Sequence, residues 1–117
     1  MIVGSIKKGD ISAKITGEKK NEIKNFIQGS VYCWCKNCQE NDEPRWFKAS
    51  DLFGGDNYYW NGTPLIELFN WHDKNNAKDP VNMAGRDVGE LLRDVILEDD
   101  RKFKTRSGYR REYLWIK

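Results

Sequence analysis

Positions Ile23, Phe26, Ile27, Ser30, Val31, Trp34 and Cys35 step by three and four, the interval at which an α-helix returns to one face. Thr16 is placed to cap that helix, and Glu18 suits the positive end of its dipole. Ahead of it, Ile2 to Ile15 is a short β-prone stretch broken by Gly4 and Gly9. A second reading ends the helix near Gly29 and makes Val31 to Lys36 a strand, because Val-Tyr-Cys-Trp is β-prone. That strand returns through Cys38–Pro44 into Arg45-Trp46-Phe47-Lys48 as a hairpin. Pattern alone leaves both open for residues 31–48.

Asp51-Leu52-Phe53 reads as one helical turn stopped by glycine. The strongest turn signal is Gly54-Gly55-Asp56-Asn57, which divides an N-terminal α+β part, 1–55, from a C-terminal part, 60–117. Thr63-Pro64 is an N-cap followed by proline where a missing N–H is harmless, with Leu65, Leu68, Phe69 and His72 on one face. Asp79-Pro80 ends that connection, and Val81 to Ala84 forms a short helix closed by a Gly85 turn. Asp87 with Glu90 then resembles a capping box, and Val88, Leu91, Leu92, Val95 and Ile96 follow at helical spacing. Lys102 to Arg106, a Ser107-Gly108 turn and Tyr109 to Ile116 predict a β-hairpin. The fold class expected is α+β, an N-terminal helix-containing layer packed on the C-terminal half.

Composition narrows the classes. A chain of 117 residues fits one domain. Fifteen aromatic residues, five each of Trp, Tyr and Phe, supply burial units that a disordered chain lacks. No apolar run nears the roughly 20 residues that span a bilayer, so no membrane is expected. The opening segment is too soon charged for a secretory leader, and three cysteines are too few for a disulfide scaffold. These point to a cytoplasmic protein.

Charge is unevenly distributed. The formal net charge is +2, yet residues 101–117 carry Arg101, Lys102, Lys104, Arg106, Arg110, Arg111 and Lys117 against Glu112 alone. A basic tail on a mildly acidic body is the asymmetry of an element that faces phosphates. The helix before it holds Asp87, Glu90, Asp94, Glu98, Asp99 and Asp100 against Arg86, Arg93 and Arg101. Such a helix meets a phosphate backbone only if its carboxylates turn away.

The residues Ala84-Gly85-Arg86-Asp87-Val88-Gly89-Glu90-Leu91-Leu92 and Arg106-Ser107-Gly108-Tyr109-Arg110-Arg111-Glu112-Tyr113-Leu114-Trp115-Ile116 resemble the turn, recognition helix and wing of winged-helix modules from phage and mobile elements. The resemblance covers residues 60–117. It implies a non-enzymatic regulator whose second helix enters the major groove of double-stranded DNA while the wing lies on the backbone. Arg86, Gly89, Glu90 and Arg93 would then face bases, and Lys104, Arg106, Arg110 and Arg111 phosphates. A protein-interaction or oligomerisation module, docking a protein partner or forming a homodimer, is the alternative from a different class.

Other chemistry is sparse. Cys33, Cys35 and Cys38, with His72 as a fourth ligand, compose the one candidate zinc set of a small metal-stabilised domain. Cys33 and Cys35 share a face on a strand but diverge by about 200° on a helix, so zinc and the hairpin reading stand or fall together. His72 reads as a core histidine, and no nucleophile motif is present, so no catalytic residues, cofactors or bound metal are expected. Tyr58-Tyr59-Trp60, Trp46-Phe47 and Trp71 read as the seal between the two halves.

Overall fold

The helical period around Ile23 is realised as α1, Gly17–Glu40, in a computed structural model that describes residues 1–54 and 60–116. Ile23, Ile27, Val31, Cys35 and Cys38 are buried along one stripe of α1, so burial carries the helix past Gly29 to Asn41. Of the two readings left open for residues 31–48, the continued helix forms and the hairpin does not. Thr16 occupies the N-cap, yet its side chain makes no capping bond. Residues 2–15, expected to be β-prone, form no strand and contribute a single bridge, Ile2 to Phe103.

A short α2, Ala49–Phe53, ends at Gly54, whose φ of 82° is easily reached only without a Cβ. The rest of the Gly54–Asn57 signal, and Tyr58 and Tyr59, lie outside the described residues. Helix α3, Ile66–Lys74, starts two residues later than Thr63-Pro64 suggests. The intervening turn uses i to i+3 bonds, Ile66 N to Thr63 O (3.3 Å) and Glu67 N to Pro64 O (3.2 Å). Helix α4 is the largest departure from the sequence reading. It runs unbroken over Pro80–Glu98, through Gly85, with Asp79 accepting from Asn82 N (3.1 Å) and Pro80 at the first position. Asp79-Pro80 therefore begins a helix, and Asp87 lies within it as a buried residue, not as a cap.

Strands β1, Lys102–Arg106, and β2, Glu112–Ile116, form the antiparallel hairpin, with Lys102 opposite Ile116 and Arg106 opposite Glu112. Two single-residue bridges extend it. Phe47 exchanges 2.8 Å backbone bonds with Tyr113, and Met1 and Val3 bracket Phe103 with 2.8 Å bonds on the other edge. The architecture is thus α+β: four helices and a two-stranded sheet among the described residues.

One core runs through these elements. Ile23, Ile27 and Val31 meet Leu65, Leu68, Val88, Leu91, Leu92, Val95 and Ile96, closed over by Phe47, Phe103 and Tyr113. The Phe47 ring lies 5.8 Å from Tyr113, 6.2 Å from Phe103 and 5.6 Å from Trp34, which locks α1 to the sheet. Trp60 is buried and bonds Phe53 O through Nε1 (3.1 Å), in keeping with a sealing role. No described helix is long and apolar enough to cross a membrane.

Candidate functional site

Helix α4 has two polar sides, and the structure sorts its charges between them. On one side Asp87 and Asp94 are buried and hold the irregular N-terminal segment. Asp87 Oδ1 accepts from Ser12 N (2.8 Å) and Ser12 Oγ (2.9 Å), and Oδ2 accepts from Ala13 N (3.1 Å). Asp94 Oδ1 accepts from Gly9 N at 2.6 Å. Gly9 sits so close that a Cβ there would lie 2.1 Å from the Glu90 carbonyl oxygen.

At the end of α4 the carboxylates are paired with cations. Asp99 is buried and accepts from Gln28 Nε2, Arg101 N and Arg101 Nη1. Glu98 pairs with Lys24 at 2.7 Å, and the Met1 ammonium donates to the carbonyls of Ile96, Asp99 and Arg101. Most carboxylates of α4 are therefore committed to the protein's own backbone and cations.

The opposite side of α4 carries Asn82, Gly85, Arg86, Gly89 and Arg93 in successive turns and faces the hairpin tip, Tyr109 to Arg111. Between them lies a cleft of about 370 Å³. Arg86, Arg93, Arg110 and Arg111 all line it, against Glu90 as its one lining carboxylate. Arg93 is three-quarters buried, and its Nη1 is 3.6 Å from Glu90 Oε2. Its Nε is shut off from solvent and has no hydrogen-bond partner among the described residues. Arg111 Nη1 donates to Thr105 Oγ1 (3.1 Å), fixing it at the foot of the cleft. The Tyr113 phenol is pushed up in pKa by burial, against the opposing pull of Arg93 and Arg111.

Two candidate residues lie elsewhere. Lys104 and Arg106 alternate with buried Phe103 and so point away from the core, on the outer face of the hairpin. Arg106 is engaged there, its guanidinium 4.1 Å from the Trp46 ring centre and its Nε 2.9 Å from Glu112. The set that the resemblance places toward phosphates thus splits into a cleft pair, Arg110 and Arg111, and an outer pair, Lys104 and Arg106. Tyr109, Asn82 and the N-terminal residues Gly9 and Ser12 were missed. Tyr109, beside two arginines at a turn, left a readable signal; Gly9 and Ser12 left none, because their partners are 75 to 85 positions away.

The cysteine set is dispersed by α1. Cys33 is exposed while Cys35 and Cys38 are buried, so the shared strand face that zinc would need does not exist. His72 is buried with Nε2 bonded to Asp87 Oδ2 at 2.7 Å, a core histidine with a satisfied nitrogen. No group of three or more potential ligands is arranged to hold a metal among the described residues. Comparison with protein-family models, with curated proteins and with solved structures gives no match to this chain.

Proposed function

We propose that this is a small non-enzymatic nucleic-acid-binding module whose contact surface is the cleft between α4 and the hairpin. The observation that carries this reading is the convergence of Arg86, Arg93, Arg110 and Arg111, from two separate elements, on one cavity. Guanidinium groups match phosphate oxygens with paired donors, and four of them held together repel one another unless an anion is present. The inward commitment of Asp87, Asp94 and Asp99 supports the same reading, since it turns those carboxylates away from the cleft. The winged-helix resemblance loses the turn that carried it, because Ala84-Gly85 lies inside unbroken α4; what remains of it is the order of α3, α4 and a basic hairpin.

The test is a fluorescence-anisotropy titration with labelled DNA, single- and double-stranded, across a range of salt. Affinity should fall linearly on a log–log plot, by about 0.9 per phosphate neutralised on duplex and about 0.7 on a single strand. Changing Arg110 and Arg111 together to Ala should flatten that slope by roughly 1.5–2. Absence of binding to either form at low ionic strength overturns the reading.

A protein-interaction module is the second reading. It has in its favour a mainly apolar recess of about 360 Å³ on another side, walled by Trp34, Cys38, Pro44, Leu114, Trp115 and Ile116. Sedimentation showing a concentration-dependent homodimer, together with no DNA affinity, would favour it.

A further inference from the structure

We propose that the cleft takes a single nucleic-acid strand, with the Arg93 guanidinium as its phosphate anchor and the Tyr109 ring as its stacking platform. This rests on the nucleic-acid reading above and narrows it to one strand form.

Space argues first. A duplex reads a helix by admitting it into a groove about 12 Å wide, which requires that the helix face stand clear of its own protein. In this fold the face bearing Asn82, Arg86 and Arg93 looks across the cleft at residues 109–111. A cleft of about 370 Å³ has the size to hold a nucleotide-sized group between those walls. Gly89 keeps the helix wall low, for a Cβ there would have nothing within 4 Å.

The two named residues argue next. Arg93 lines the cleft, and its Nε has no hydrogen-bond partner among the described residues while Nη1 lies 3.6 Å from Glu90 Oε2. A phosphate entering the cleft meets the accessible part of that guanidinium, whose planar fork offers paired donors. Tyr109 is 99% exposed, so its ring adds nothing to the core. It stands at the cleft mouth with the Arg110 guanidinium 5.8 Å from its centre. Single strands are held by this combination of a basic groove and an aromatic face, because every base presents a π-surface.

The experiment compares a labelled oligothymidylate of about 15 nucleotides with a duplex of equal length at one low salt concentration. The single strand should bind about tenfold or more tightly than the duplex. Tyr109→Ser should weaken single-strand binding roughly 5- to 150-fold, while Tyr109→Phe keeps it. The side chain is fully exposed, so neither change should alter the melting temperature. Arg93→Lys keeps the charge but loses the fork, and should weaken the single strand at an unchanged fold, checked by circular dichroism. Equal or tighter binding of duplex, or a silent Tyr109→Ser, overturns this inference and leaves the nucleic-acid reading standing. No affinity for either probe overturns both.

Discussion

His72 Nε2 and Asp87 Oδ2 lie 2.7 Å apart with both side chains almost wholly buried. The pair joins α3 to α4, and the same carboxylate holds Ser12 and Ala13. Asp87→Ala would leave two backbone N–H groups and an imidazole without their acceptor. Chemical denaturation should show a loss of about 3–5 kcal/mol. A change within about 0.5 kcal/mol, the range of an ordinary surface substitution, would mean that the N-terminal segment does not dock on α4 in solution.

Two glycines should respond oppositely to alanine. At Gly9 the added Cβ meets the Glu90 carbonyl oxygen at 2.1 Å and its carbon at 2.8 Å, both backbone atoms that cannot swing aside. Gly9→Ala should therefore lower stability and speed proteolysis within residues 1–15. Gly29 lies inside α1 with open space around it. Gly29→Ala should raise stability by about 0.5–1 kcal/mol through helix propensity alone.

Leu91 has no exposed surface and sits where α4 crosses the centre of the core. Leu91→Ala should cost roughly 2–5 kcal/mol, the lost burial plus the cavity left behind. A cost below about 0.5 kcal/mol in a urea melt would place that face of α4 in solvent.

The cysteines should differ in reactivity. Cys33 is exposed, whereas Cys35 and Cys38 are buried, and burial pushes the Cys35 thiol up to about 11 from 9.0. At pH 8 a maleimide should label Cys33 alone in the native protein and all three cysteines after denaturation. The folded state holds the Cys35 proton more tightly than the unfolded chain does. Its contribution is therefore complete below pH 9 and is lost as pH rises from 9 toward about 11. Tyr113, raised by burial from 10.0, adds to the same alkaline loss. Cys35→Ala should show a shallower decline in stability across that window.

Local pattern settled the elements whose reasons are local. The stripe from Ile23 to Ile27, the run Val88 to Ile96 and the Ser107-Gly108 turn each reported their own helix or hairpin, because periodicity and turn chemistry act within a few residues. Gathering four arginines into one cleft was half legible. Arg110 and Arg111 announced a basic tip, and Arg86 and Arg93 a helix face, but nothing local said that the tip would fold back over the face.

The misreadings share one cause. Gly85 and the Asp87/Glu90 pair look like punctuation, yet α4 passes through both. Burial of Ala84, Val88, Leu91 and Leu92 against α1 and α3 outweighs the roughly 1 kcal/mol that a mid-helix glycine costs. Asp87 reads as a cap in sequence because short acids usually bond nearby N–H groups; in the fold its partners are Ser12, Ala13 and His72. The sequence by itself determined the kinds of element, their order, the apolar faces and the surplus of charge at the C-terminal end. Which carboxylates turned inward and which arginines came to share a cavity were decided only by tertiary structure. Those outcomes depend on contacts between residues far apart in the chain, and no short-range pattern encodes their meeting.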